Sequence, residues 1–404
     1  MTRLRCRPVL PAVQPVAAVF LLIAPLALAL GAAWLELRHR LRPASPLRMS
    51  PRDWRVDDLG DRLRVEGVLE ISNPHARMEI FVPELNVQPV LLGQHDPSVL
   101  RVSTRIAAEH PDEEARADGY WAAYIVKAGK STCSRVTIEI AGPSPLQRVD
   151  SLWVEANWVN YGPFGRLQRR QGVLVALRRP QPLQADQASF VAGDGCRVLP
   201  LRTHLLGPLD DPIEMLRFYA AGVLQPGDVL TLGETPLAVI QGRYRHPSEV
   251  EPGMVARLAC RVFHPTSSLA TACGMQTLID LVGPSRVIAA WVGGLLMKLL
   301  RIPGGFYRLA GDQARLIDDI TGTTPPYDQT IVLGPLQPLD FCRTAAAELG
   351  VAVAIVDVND LGRVKVLASS PGCDDALLQR ALRPNPAGNA NQRTPLVLVR
   401  PDPG

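Results

Sequence analysis

Residues 198–243 read VLPLRTHLLGPLDDPIEMLRFYAAGVLQPGDVLTLGETPLAVIQGR, and their pattern sets the class of the C-terminal half. VLPLRTHLLG suits a strand. DPIEMLRFYAAGV carries apolar residues at 213, 215, 216, 219 and 220, the spacing of an amphipathic helix. Gln225-Pro226-Gly227-Asp228 turns the chain into a second strand, VLTLG. Further on, LDFCRTAAAELG predicts a helix ended by Gly350, followed by the buried strand VAVAIVDV. Helices expected near 274–282 and 376–382 complete an alternation that predicts an α+β or α/β body.

Upstream the period changes to two. RLRVEGVLEIS, RMEIFVPELNVQPVLL, YWAAYIVKA, SRVTIEIAG, SLWVEANWV and GVLVALR each suit a strand, with turns such as Asn73-Pro74-His75 and Ala141-Gly142-Pro143 between them. They predict an all-β sandwich-like domain over 56–178, joined by a linker at 179–186 to an α+β domain over 187–404. Trp121, Trp153 and Trp158 are expected to pack on its sheets. Gly129-Lys130-Ser131-Thr132 is no phosphate loop, because Tyr124 stands where the motif needs Gly and a strand follows. The stretch from Val65 to Gly93 resembles the late-embryogenesis-abundant/WHy β-sandwich domains, and the residues themselves suggest binding or spacing rather than catalysis.

The N-terminus is of another kind. Residues 9–35, VLPAVQPVAAVFLLIAPLALALGAAWL, carry no charge and only Gln14 as a polar residue. A bilayer core needs roughly 20 apolar residues in a helix, so this segment predicts a transmembrane helix within an anchor at 1–42. Trp34 sits where an interfacial aromatic belongs. The rival reading is a cleaved signal peptide with the A-x-A site Ala27-Leu28-Ala29, but the length of the run and the Arg cluster after it favour an anchor. Residues 43–55 are Pro-, Ser- and Arg-rich and read as a linker. The expectation is a single-pass membrane protein with membrane lipid as a partner and the bulk of the chain cytoplasmic.

With 404 residues, 47% of them apolar and 20% charged, the chain is long enough for several domains and is no disordered polyelectrolyte. Residues 1–55 hold nine Arg against Glu36 and Asp53, so the rest of the net +4 chain is slightly acidic. A basic body for nucleic acid is absent, and no nucleic-acid partner is expected. The seven Cys are scattered without a CxxC, which predicts neither a disulfide framework nor a zinc site. His246-Pro247 and His264-Pro265 lack partners at metal spacing.

The C-terminal half resembles the coenzyme F420-0:L-glutamate (γ-glutamyl) ligases over roughly 195–370. The family opens with a strand, a helix, Gly-Asp-Val-Leu and, twelve residues later, Gly-Arg. Gly227-Asp228-Val229-Leu230 and Gly242-Arg243 fall in that register. IVLGPLQPLDFCRTAAAELGVAVAIVDVNDLGR, residues 331–363, looks like the family's Leu-Leu-Pro-x-x-Pro segment, helix, strand and Asp-x-x-Gly-Arg turn. The resemblance implies amide ligation: GTP or ATP activates a small-molecule carboxylate as an acyl phosphate, and an amine displaces phosphate. It also implies Mg²⁺ or Mn²⁺ on the phosphates, and association as a homodimer, which no feature of the residues shows. Gly242, Arg243, Gly362 and Arg363 are then the cofactor-binding residues. Asp318 and Asp319 stand nearest the family's first metal-binding Asp. The second belongs where this chain has Asn359, with Asp357 and Asp360 as neighbouring carboxylates. No catalytic residue is assigned.

The departures are as informative. The family's Ser-Lys-Ala-Glu-Gly-Arg is Ala238-Val239-Ile240-Gln241-Gly242-Arg243 here, and a basic position after the second Gly-Arg is Val366. The alternative to an enzyme is therefore a non-catalytic ligase-fold binding or scaffold module at the membrane. Residues 286–302, RVIAAWVGGLLMKLLRI, have no counterpart in the resemblance. Their unbroken apolar run of 11 residues is too short to cross a bilayer, and it suits either an interfacial helix or a buried core helix.

Overall fold

The computed structural model describes residues 15–40 and 45–402, except 115, 117, 164, 266, 320–324, 360–361 and 389–391; of the side chains within 15–40, it describes 23–39. Helix α1 (Pro15–Arg40) comes first, with exposed apolar side chains such as Leu26, Leu28 and Leu35. Residues 9–14 of the expected span lie outside the described residues. Among the described residues no single helix is long and apolar enough to span a membrane.

Nine strands form the sandwich: β1 (Arg48–Asp58), β2 (Arg62–Ser72), β3 (Ile80–Val82), β4 (Leu85–Leu92), β5 (Arg101–Glu109), β6 (Tyr124–Val126), β7 (Ser131–Ala141), β8 (Ser151–Gly162) and β9 (Gly165–Ala176). A single helical turn, α2 (Pro145–Arg148), precedes β8. One sheet runs β1-β2-β7-β5; the other centres on β8, which pairs with β4, β3 and β9, while β6 extends β3. The alternating residues Leu63, Val65, Leu69, Ile71, Val136, Ile138 and Ile140 face Leu152, Val154 and Ala156 of the other sheet, and this double layer is the core. Gly129 and Lys130 form the turn into β7, as the strand reading required.

Two strands of the sandwich escaped the sequence reading, and both are edges. Residues 48–55, read as linker, belong to β1, whose Pro51, bulge at Arg52/Arg55 and exposed charges hide the period of two. Such features belong to edge strands, where a missing N–H costs no ladder bond. β5 is likewise mostly exposed.

The second body is built on a mixed sheet ordered β10-β11-β17-β12-β15-β16. Its strands are β10 (Val191–Ala192), β11 (Cys196–Leu201), β12 (Val229–Gly233), β15 (Ala352–Val358), β16 (Val364–Ser369) and β17 (Leu396–Pro401); β13 (Tyr244–Arg245) and β14 (Ile331–Val332) pair separately. α3 (Pro212–Ala220), α4 (Glu234–Ile240) and α9 (Pro338–Leu349) cover one face through Leu216, Leu237 and Cys342. α10 (Asp375–Leu382) covers the other through Leu378 and Leu382. α5 (Met254–Ala259), α6 (Ala272–Val282), α7 (Pro284–Leu299) and α8 (Gly305–Ala310) make a helical lobe with its own core around Met275, Leu278 and Phe306.

The sandwich docks on the second body through Trp153 and Leu174 packed against Leu205, Val239 and Tyr327. Tyr244 Oη donates to the Gly172 carbonyl at 2.7 Å, and Arg393 pairs with Asp150 at 3.2 Å. The six described cysteines are all free.

Candidate functional site

β12 and β15 are parallel and in register from Val229 opposite Ala352 to Gly233 opposite Val356, so both end at one edge of the sheet. Open α/β sheets bind ligands at that carboxyl edge. Beyond β12, Gly233 caps α4 and Glu234 is its first residue. Asp357, at the end of β15, enters the same space. A third carboxylate, Asp318, arrives from a segment held to Val332 by two backbone hydrogen bonds of 2.8 Å. Together they line a cavity of about 470 Å³, along with Thr203, His204, Asn359 and Arg393.

The electrostatics follow from crowding three acids. Burial, and then the charges of Asp357 and Asp318, push the Glu234 carboxyl up to about 8, with Lys365 opposing. Its place in the first turn of α4 favours the anion by ~0.3–1 kcal/mol, less than one decade of proton affinity, so burial wins. Asp318 rises to about 6 through crowding by protein and then Asp357. Its side chain nevertheless reaches solvent at the cavity mouth, so its shift is the more screened of the two. None of the three carboxylates forms an ion pair with a described residue.

Asp318 and Asp319 do not act together. Adjacent residues on an extended segment point to opposite sides. Asp319 faces the helical lobe, where Thr271 Oγ1 donates to its Oδ2 and, in the same place, accepts the Gly274 N–H at the start of α6. The two therefore do not converge on one site: of the pair, Asp318 lines the cavity. Asp360 lies outside the described residues. Among the described residues no three His, Cys, Asp or Glu side chains are arranged to hold a metal ion. Of the three cavity carboxylates Glu234 is half-buried, whereas Asp318 and Asp357 are exposed.

The two Gly-Arg pairs serve the backbone. Arg243 Nε donates to the Gly334 carbonyl at 3.0 Å and its terminal nitrogen to Gln313 Oε1 at 2.9 Å, which ties the end of α4 to two neighbouring loops away from the acids. Gly242 borders a separate cavity between the sandwich and the second body. Gly362 takes φ 74° in the turn between β15 and β16, and Asn359 Oδ1 closes that turn by accepting the Arg363 N–H at 3.0 Å. Arg363 is exposed. His246 Nδ1 bonds Ser248 Oγ at 2.6 Å within its own loop.

Glu234 and His204 were missed by sequence reasoning. Glu234 follows Gly233 in a helix that the resemblance had aligned on charged residues four positions later. His204 is buried, with Nε2 at 2.9 Å from Asp210 Oδ1 and Nδ1 at 2.7 Å from Tyr219 Oη. The carboxylate only accepts, so Nε2 carries the proton and Tyr219 donates to Nδ1, an assignment made from the network. Tyr219 Oη also accepts the His204 backbone N–H at 3.2 Å. Tyr219→Phe therefore leaves two buried groups unpaired, and urea unfolding is expected to show a loss of about 1–3 kcal/mol.

Residues 48–179 match the family model described as the N-terminal Ig-like domain of F420-0:gamma-glutamyl ligase. That match is to the sandwich, whereas the resemblance read from the residues lay downstream of it. No curated protein matches the chain. Among solved structures, the GAE domain of yeast GGA1 is 11% identical, covers 34% of this chain and 96% of its own, and has a TM-score of 0.20. A FixG-related protein from Vibrio parahaemolyticus is 12% identical over 33% of this chain and 97% of its own, with a TM-score of 0.19.

Proposed function

We propose that this chain is a membrane-anchored amide ligase of the F420-0:γ-glutamyl ligase type, with a site that has diverged. The observation that carries the reading is the convergence of Glu234, Asp318 and Asp357 at the carboxyl edge of the parallel pair β12/β15. The Ig-like match at 48–179 supports the family, and the downstream motif spacing supports the same reading. The apolar run at 9–35 and the exposed apolar surface of α1 support a single-pass anchor, with the body on the cytoplasmic side.

In this reading a substrate carboxylate oxygen attacks the γ-phosphorus of GTP or ATP, the nucleoside diphosphate leaves, and an acyl phosphate forms. An amine, glutamate in the family, then attacks the acyl carbon; the C–O bond to phosphate breaks, inorganic phosphate leaves and the amine loses a proton. Glu234, pushed up to about 8, is mostly protonated at neutral pH and would accept that proton only once a bound cation has ionised it. Asp318 and Asp357 would hold Mg²⁺ or Mn²⁺, which when bound neutralises charge on the phosphate oxygens. Arg393 also lines the cavity, with its guanidinium already paired to Asp150 at 3.2 Å.

The test is a thermal melt of the full chain in detergent with GTP or ATP and Mn²⁺ or Mg²⁺. Ligand at about 100 times its Kd adds roughly 2.7 kcal/mol. The shift should need metal and nucleotide together, vanish in Asp318→Ala and Asp357→Ala, and survive in Asp319→Ala. Asn359 in place of a carboxylate favours the second reading, a non-catalytic binding or scaffold module. A folded protein with no shift under any combination would sink the ligase and leave that module.

A further inference from the structure

α7 is turned inside out relative to an ordinary amphipathic helix. Its buried side is made of Val287, Ala290 and Gly294. A Cβ at Gly294 would stand 2.8 Å from the Phe306 backbone nitrogen, so glycine is what lets α8 lie directly against α7. The opposite side carries Ile288, Trp291, Val292, Leu295, Leu296 and Leu299, one stripe at helical spacing. All six are exposed, Leu299 by 74% and Leu296 by 57%, and Leu300 continues the stripe at 72%. Exposed side chains this large and contiguous mark an interaction surface.

The charges around the stripe indicate what covers it. Between Asp280 and Asp312 there is no acidic residue, while Arg286, Lys298, Arg301 and Arg308 are all exposed there. None of these four has a carboxylate partner among the described residues. Apolar side chains flanked by unpaired cations, with a Trp among them, fit the boundary between acyl chains and anionic headgroups. The run is too short to cross: α6 and α7 satisfy the length and composition of a span only together, and they are bent by 113° at Gly283.

We infer that the outer face of α7 docks in the interface of an anionic lipid bilayer, so that the helical lobe holds the second body flat against the membrane. The inference is independent of the ligase chemistry and extends the anchored topology, giving the body a second attachment besides α1. Basic side chains reach headgroups while Leu295, Leu296 and Leu299 enter the acyl boundary.

The experiment uses the full chain with vesicles of phosphatidylcholine alone or mixed with phosphatidylserine, each with brominated acyl chains. Co-flotation reports the anchor. The fluorescence difference between the native chain and Trp291→Phe isolates Trp291 and reports the α7 face. Trp291 emission is expected to fall by about half or more in the anionic vesicles and less in neutral ones, as a basic amphipathic face requires. In Leu295→Asp/Leu299→Asp that quenching should disappear while co-flotation persists. Trp291 unquenched in anionic vesicles overturns the inference whether or not the chain floats, including the case in which a second copy of the chain shields it. Loss of co-flotation together with quenching in Leu295→Asp/Leu299→Asp would uphold the docking face and overturn the anchor instead.

Discussion

Asp228→Ala is expected to destabilise the second body by about 3–5 kcal/mol, read as a lower urea midpoint at unchanged m. Asp228 belongs to Gly227-Asp228-Val229-Leu230, one of the stretches through which the chain resembles the ligases, and its role here is architectural. Its side chain is 1% exposed and takes both arms of Arg400 at 2.8 Å each, while Oδ2 also accepts the Gln225 N–H at 2.8 Å. Arg400 reaches the Val223 carbonyl at 2.8 Å and stacks over Phe190 at 4.5 Å. The pair thus closes the turn into β12 and locks it to β17. Removing the carboxylate leaves a mostly buried guanidinium without its counter-charge, which costs more than the pair itself contributes. Asp228→Ala/Arg400→Met should recover a good part of the loss. A single variant within 1 kcal/mol of the native chain would show that the pair is solvated and the turn held by other means.

Glu234→Gln is expected to raise stability at pH 8 by about 3 kcal/mol and to remove a slope that the native chain shows between pH 4.5 and 8. The unfolded chain releases this proton near 4.5, whereas the folded one holds it until about 8. Across that window the folded state binds more protons, so stability falls as pH rises; it is undiminished below 4.5 and constant again above 8. The partial opening of the cavity to water keeps this below the roughly 4–5 kcal/mol that the full shift would give. Urea unfolding from pH 5 to 8.5, native against Glu234→Gln, measures it. Parallel profiles for the two proteins would show that Glu234 ionises freely and that the acids do not crowd one another. A divalent cation at the cavity should also shrink the native slope, because it favours the ionised carboxylates.

Much of this was legible without coordinates. β2, β7, β8 and β15 announce themselves by period and by β-branched runs, and α3, α9 and α10 by apolar spacing and by Asp or Gly at their ends. β1 and β5 were not legible, since edge strands bury one side poorly and carry the charges that prevent further pairing. The role of 286–302 stayed open between core and interface, because a 3.6-residue stripe reads the same from either side. Packing against α8 decides which side is out.

The site divides in the same way. The family resemblance placed Asp318 and Asp357 among the acids of interest, together with Asp319 and Asp360. Which of Asp318 and Asp319 faces the cavity was fixed by the pairing of Asp318 with Val332, a contact the local sequence does not encode. Glu234 joined the acids, and Arg243 came to bond Gly334 and Gln313, for the same reason. Local periodicity dictates which elements form, since propensity and burial act along the chain. Which side chains meet in one low-dielectric space depends on how distant strands register, and only the tertiary structure decides that.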